Sequence, residues 1–324
     1  MTPILEVNDL TVTMKRPFRT LTALDRVTLT IGKGEVLGLV GESGAGKSLT
    51  GAAIVNLLVP PLRQTGGSIA LAGRRIDTLS RDDMRKVRGR EIGFIFQDPS
   101  TSLNPVLSIG HQLIETMMTH LPIGRDEARR RAIAWIDRIG IPEAERRLDQ
   151  YPHEFSGGMR QRIVIALALC AEPSLVIADE PTTALDVSVQ ARVLQLLKDL
   201  HGETGVAMLL ITHDLGVIAK MADRVAVLYT GRVVEIGPTS AILNSPHHHY
   251  THGLMKATPT PNMQTQRLDA IPGSMPNLAA IPSGCSFHPR CPRSDATCRD
   301  HLPRLSGVES GFACWHPLSA GGTS

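Results

Sequence analysis

Eight residues, Gly41-Glu42-Ser43-Gly44-Ala45-Gly46-Lys47-Ser48, gather three glycines, an amine and two hydroxyls in one short stretch. Glycines at this density let the backbone curl so that successive N–H groups converge, forming a nest for oxyanions. The Lys47 ammonium adds a point charge, and the Ser48 hydroxyl is a hard oxygen ligand of the kind Mg²⁺ takes. The spacing G-x-x-x-x-G-K-[ST] is that of a phosphate loop, with Lys47 aimed at β- and γ-phosphates and Ser48 at the metal.

Other residues offer matching chemistry. Leu175–Glu180, LVIADE, is an apolar run that ends in two carboxylates. Asp179 suits an indirect Mg²⁺ contact beside a phosphate loop, and Glu180 is placed to polarise an attacking water. Many strands end in acids, so this pair gains weight only from its company. Phe155-Ser156-Gly157-Gly158-Met159 heads the apolar segment RQRIVIALALC. Ser156 is a good N-cap, which alone accounts for the stretch, but glycines at a helix start also present backbone donors to an anion. Gln97 ends IGFIFQ and His213 ends LLITH. Taken singly, either reads as a solvated strand end.

The elements that must hold these residues alternate. GEVLGLV is a short buried strand before the phosphate loop, and SLTGAAIVNLL a helix after it. ILEVNDLTV, RVTLTI and GGSIALAGRRI have strand character. From about Pro105 to Tyr151 apolar residues recur at three- and four-residue spacing, as in IGHQLIETMM and DEARRRAIAWIDRIG. Strand LVIAD, helix VSVQARVLQLLKDL, strand AMLLIT, helix LGVIAKM and strand RVAVLYT then follow. Strands alternating with helices predict an α/β fold with a mostly parallel core sheet, N-terminal antiparallel strands and a helical insert. After about Asn244 a short helix gives way to a Pro- and Thr-rich linker and a cysteine-bearing tail. His247, His248 and His249 are expected to face solvent at the start of that helix, although a His-rich tract can bind metal.

Composition narrows the function classes. The 324 residues are 42% hydrophobic and carry a net charge of +3, without the concentrated basic charge of a nucleic-acid binder. Aromatics at 3% leave little material for base-stacking platforms. MTPILEVNDL lacks the basic and apolar regions of a secretory signal, and the longest apolar run is broken by Glu172 and Pro173. The expectation is a chain in a reducing compartment whose membrane role, if any, comes through partners.

Four thiols, Cys285, Cys291, Cys298 and Cys314, form C-x₅-C-x₆-C-x₁₅-C. Disulfides are disfavoured by the compartment. Zinc is open, though paired C-x₂-C knuckles are missing. Four thiolates at wider spacing also suit an iron–sulfur cluster. Metal-free apolar thiols fit poorly with such polar, Pro-rich surroundings. Cys170, in ALALCAEP, is expected in the core.

In order, GESGAGKS, Gln97, FSGGM, LVIADE, TALD and ITHD closely resemble an ABC-type P-loop ATPase over about residues 3–245. The resemblance implies two such domains stacked head to tail around two ATPs. Ser156, Gly157 and Gly158 would then meet the γ-phosphate held by the partner. Gln97 would sense Mg²⁺ and the water, His213 would hold the γ-phosphate, and Asp186 would act across the dimer. Two departures stand out. Phe155 and Met159 replace the ends of the common LSGGQ, and the aromatic that stacks on adenine has only Met14 or Phe18 in its place.

The spellings GESGAGKS, FQDPSTSLNP and FSGGMRQRIVIALAL are similar to the ATPases of oligopeptide, dipeptide and nickel importers. SPHHHYTHGLM and GCSFHPRCPRSDATC resemble that subgroup's C-terminal extension. The implied organisation is an ATPase domain over 1–245, with a helical subdomain at about 105–165, and an extension over 246–324. The resemblance further implies ATP and Mg²⁺, with Ser48, Gln97 and Asp179 at the metal, and a [4Fe–4S] cluster on the four cysteines, with zinc as the alternative. It implies two integral-membrane permease subunits as partners, received by Asp98–Asn104 and the helical insert. A second ATPase subunit and, indirectly, an extracytoplasmic substrate-binding protein complete the set, with no nucleic acid. The expected place is the cytoplasmic face of the bacterial inner membrane. An ABC-type ATPase of DNA repair or chromosome maintenance is the rival reading; it would need coiled-coil heptads or a basic stripe, and neither is visible.

Overall fold

The computed structural model describes residues 3–183, 185–258 and 270–319. Most of the linker, and Ala184 of the TALD loop, lie outside the described residues. The strands are β1 (Leu5–Lys15), β2 (Thr20–Ile31), β3 (Val36–Val40), β4 (Leu62–Leu71), β5 (Arg74–Arg75), β6 (Ile92–Ile95), β7 (Leu175–Asp179), β8 (Ala207–Ile211), β9 (Arg224–Tyr229), β10 (Arg232–Pro238) and β11 (Gly311–Phe312). The chain divides into two compact units. One takes the residues up to Asp77 together with those from Leu210 onward; the other is Thr78–Leu209.

In the first unit, β2, β1, β4 and β5 lie in that order in an antiparallel sheet. Leu5 faces Ile31 on one side and Leu71 on the other, and all three are buried. β3 has no polar face. All five of its residues are buried, the signature of a strand covered on both sides. It pairs in parallel with β9, which continues antiparallel into β10 and then β11. Thr230 and Gly231 join β9 to β10, both with positive φ (46° and 76°), as a tight hairpin of the twisted kind requires. The mixed sheet is therefore parallel at β3–β9 and antiparallel at its C-terminal edge.

In the second unit, β6 and β7 pair in parallel, Ile92 opposite Leu175 through Ile95 opposite Ala178. Gly93 is required there, because a Cβ would stand 2.2 Å from the Ala168 carbonyl of the covering helix Gly157–Leu169. Helices Ile109–His120, Arg125–Arg138 and Val187–Thr204 complete the unit. Each inward stripe follows helical spacing, as with buried Ala128, Ala132 and Ile136. Polar caps fix where helices begin: Ser108 accepts from the His111 amide, and Gly205 at φ 64° ends Val187–Thr204. Among the described residues no helix is long and apolar enough to cross a membrane.

Candidate nucleotide site

β3 delivers the chain into the phosphate loop, and helix Lys47–Ile54 leaves it. The loop needs its glycines. Gly41 has φ 153° and no room for a Cβ, which would fall 2.2 Å from the Leu228 carbonyl. Gly46 has φ 105°, and its Cβ would meet Leu24 Cδ2 at 2.7 Å. Gly44, at φ 83°, faces open space, as a position approached by a ligand should. Ser43, Gly44 and Ser48 are exposed, whereas Lys47 is buried with its ammonium donating to the Gly41 and Glu42 carbonyls at 2.8 and 3.1 Å. The hairpin turn braces the loop from behind, the Gly231 amide donating to the Ala45 carbonyl at 2.8 Å. His213, past the end of β8, is exposed beside Asp214, which caps helix Leu215–Met221.

Glu42 is held from the far end of the chain. Its amide donates to the Tyr250 hydroxyl at 2.7 Å. Its carboxylate accepts from both terminal nitrogens of Arg290, at 2.7 and 2.9 Å. Arg290 is 8% exposed and sits 5.9 Å from the ring centroids of Tyr229 and Phe287. Its Nε donates to the Pro272 carbonyl at 2.7 Å. Glu42 foremost, then Tyr229, holds the guanidinium even more firmly protonated than usual. Tyr229, Tyr250 and Phe287 are mutually packed at centroid distances of 4.6 to 5.4 Å, and burial drives the Tyr250 phenol far above its ordinary pKa.

In the second unit, Glu180 leaves β7 with φ 47°, a left-handed backbone that a glutamate adopts only under constraint. Its carboxylate accepts from Gln97 Nε2 at 3.1 Å and from Thr183 Oγ1 at 2.8 Å. Asp179, one residue earlier, is buried. Ser156 caps its helix by accepting from the Met159 amide at 3.3 Å. Gly158 lies against the next helix, where a Cβ would come within 2.5 Å of Val189 Cγ1. Asp186 caps that helix, accepting from the Val189 amide at 3.0 Å and the Ser188 hydroxyl at 2.7 Å. Those bonds, the Ser188 hydroxyl first, keep its carboxyl below the usual range. Gln190 ties the loop down through the Thr182 and Leu185 carbonyls. The structure thus joins Gln97 to Glu180, and packs the Ser156 helix start on the Asp186 helix start. Val189 and Thr183, absent from the motif reading, complete both contacts. Phe18 lies wholly exposed in the turn between β1 and β2, and Met14 is half-buried in β1.

The four tail cysteines line one pocket, with His288 and Trp315 beside them. Burial raises the pKa of each thiol, Cys314 to about 11, and the nearby thiols raise it further in Cys285, Cys291 and Cys314. Opposing this, backbone amides of Phe287, Arg293, Asp295 and His316 favour the thiolates of Cys285, Cys291, Cys298 and Cys314 in turn. Cys170 is a core residue as expected, its thiol pushed up to about 12 by burial. The histidine expectation fails: His248 and His249 begin helix His249–Lys256 but are buried. The folded tail covers them. His248 packs on Phe287, His249 Nε2 lies 2.9 Å from the His316 carbonyl, and the His247 and His248 amides donate to buried Glu235.

A phosphate loop on a buried parallel strand, a carboxylate pair after a second such strand, and a Ser-Gly-Gly helix start define an ATP-binding cassette. The chain belongs to the ABC transporter family, whose profile matches residues 24–183, and residues 234–298 match the oligopeptide/dipeptide transporter C-terminal region. It is 45% identical to the oligopeptide transport ATP-binding protein OppD of Salmonella typhimurium, over 97% of this chain and 94% of that one. It is 44% identical to a Brucella melitensis protein named for peptide import and ATP binding, over 98% and 99% of the two chains. Among solved structures, the dimeric cassette MJ0796 in a post-hydrolysis state with ADP and Pi superposes with a TM-score of 0.65 at 30% identity, covering 72% of this chain and 98% of that one.

Proposed function

We propose that this chain is the ATP-hydrolysing subunit that energises a peptide-type ABC importer. The observation that carries the reading is an oligopeptide/dipeptide-type C-terminal region seated on the phosphate loop through Tyr250 and Arg290. Relatives of nearly equal length named for peptide import support it over the DNA-maintenance alternative. In the reaction, Glu180 takes a proton from water as the water oxygen attacks the γ-phosphorus in line; the bond to the bridging oxygen breaks and ADP leaves. The bonds from Gln97 and Thr183 orient that carboxylate. Lys47 and His213 stabilise charge on the γ-phosphate. Mg²⁺, when bound, neutralises charge on the β- and γ-oxygens, with Ser48, Gln97 and Asp179 to hold it. Ser156, Gly157 and Gly158 serve the ATP of a second ATPase subunit, which Asp186 also faces. Two permease subunits dock on Asp98–Asn104 and the helices within 105–165, on the cytoplasmic face of the bacterial inner membrane. A separate extracytoplasmic binding protein delivers the peptide. The test is Glu180→Gln: it should bind ATP as the parent does and lose hydrolysis by about a hundredfold or more. Undiminished turnover would sink the assignment.

The cysteines are proposed to hold a [4Fe–4S] cluster. Among the described residues, the one set of three or more donor atoms within 4.8 Å of one another is Asp295, Cys298 and His316. No three of the four sulfurs converge that closely. Four sulfurs about one zinc, at Zn–S of about 2.3 Å, would be about 3.8 Å apart. A polynuclear cluster takes its sulfur ligands further apart than one zinc does, and the amides beside the sulfurs suit a metal-bound thiolate. Bound there, the cluster would cross-link turns that have little core of their own. Iron and sulfide in equal amounts per anaerobically purified chain are expected; zinc alone would favour the Asp295–Cys298–His316 group.

A further inference from the structure

The amide and the side chain of Glu42, in the phosphate loop, are both claimed by the tail. The two partners are 208 and 248 residues away in sequence. Arg290 makes two parallel N–H···O bonds to the carboxylate, the geometry with the greatest directional strength. Its Nε donates to the Pro272 carbonyl and one terminal nitrogen also reaches the Tyr229 hydroxyl at 3.4 Å, so the guanidinium cannot swing without breaking four bonds. The fork stands on packed aromatic rings, one of which, Tyr229, directly follows the Leu228 carbonyl that confines Gly41. Beside it the buried Thr230 hydroxyl donates to Ser286 at 2.6 Å, next to Cys285. Arg290 itself directly precedes Cys291. A chain of rigid contacts therefore runs from the thiol pocket to the second residue of the nest.

We infer that Arg290 is a positioning residue for ATP: through Glu42 it fixes the backbone of the phosphate loop in the curled form that receives the phosphates. Glu42 then serves as the anchor of the loop, while the exposed Ser43, Gly44 and Ser48 are left to face the nucleotide. The cysteine-bearing tail becomes part of the nucleotide site without touching ATP. This rests on the reading of the loop as an ATP site.

The test compares the intact protein with Arg290→Ala, Arg290→Lys, Glu42→Gln and Arg290→Ala/Glu42→Gln. Kd for a fluorescent ATP analogue with Mg²⁺, KM, kcat and metal content are measured on each. Arg290→Ala and Glu42→Gln should each raise Kd and KM about tenfold, with kcat within about twofold, because the lost interaction orders the loop and does not touch the reacting atoms. The double variant should be no weaker than the weaker single one, since both remove one interaction. Arg290→Lys, which keeps the charge but not the fork, should recover part of the loss. Unchanged Kd in Arg290→Ala at parental metal content overturns the inference, as does additivity in the double variant. If Arg290→Ala fails to fold, Glu42→Gln decides, and parental Kd there overturns it. Failure of the parent protein to bind the analogue would instead overturn the ATP-site reading, and the inference with it.

Discussion

Mild acid should loosen helix His249–Lys256, and His248 is the reason. Its ring is buried, and burial first, then the neighbouring His249, lowers its pKa from 6.5 to about 3. The geometry agrees: Nδ1 accepts the Tyr250 amide at 3.0 Å, so a proton there would set donor against donor. It would also place a cation at a helix N-terminus. The unfolded ring binds a proton below about pH 6.5 and the folded ring does not until near 3. The stability from keeping it neutral is therefore whole above about pH 6.5 and lost as pH falls toward 3. Each unit below 6.5 removes about 1.4 kcal/mol, so about 2 kcal/mol is gone by pH 5. Native-state hydrogen exchange on the helix amides, corrected for intrinsic rates, reads this locally. Protection should fall about thirtyfold between pH 7 and 5 in the parent. His248→Asn keeps an N-capping oxygen and does not titrate, so at equal metal content its fall should be only a few-fold. His252, lowered by partial burial and then Lys256, leaves it that residual slope. An equal fall in both proteins would refute the reasoning.

Gly158→Ala should cut ATPase activity about tenfold or more, because the new Cβ meets Val189 Cγ1 at 2.5 Å; Val189→Ala in the same chain should restore part of it, and failure to do so would place the defect elsewhere. Gly41→Ala should abolish binding of the ATP analogue, since the Leu228 carbonyl is backbone and cannot yield; retained affinity would show the loop more plastic than its contacts indicate. Cys291→Ser should lower the metal content and the thermal midpoint together, measured by elemental analysis and calorimetry on the same sample. A lower midpoint at parental metal content would separate the thiol from the metal.

Legibility in the sequence followed the strictness of the local rule. The phosphate loop was readable because a nest needs glycine at fixed offsets, and Gly41 and Gly46 admit nothing larger. β3, β7 and β8 were readable because every residue in them is buried, which leaves an unbroken apolar word. β10 was passed over, although Thr230-Gly231 between two apolar runs is a hairpin signal. The roles of Tyr250 and Arg290 had no such signal, since their partner is over 200 residues away and only tertiary structure brings it near. The histidine tract misled for a related reason. Polar neighbours in sequence suggested solvent, but the tail that buries His248 begins beyond the linker. Nor does motif order reveal that Thr78–Leu209 is inserted within another unit.

β11 is only two residues long, yet it pairs Gly311 and Phe312 with Ile236 and Glu235 on the outer side of β10. The Ala313 amide extends that pairing to the Val234 carbonyl, and Phe312 stacks on His247. The tail thereby occupies an otherwise open sheet edge, the kind of edge that recruits strands from other molecules. A chain cut before Gly311 would lose Cys314 with the strand and would present Val234–Ile236 to its neighbours. Truncation of this kind trades a capped sheet for one prone to self-association, so the tail guards solubility as well as shape.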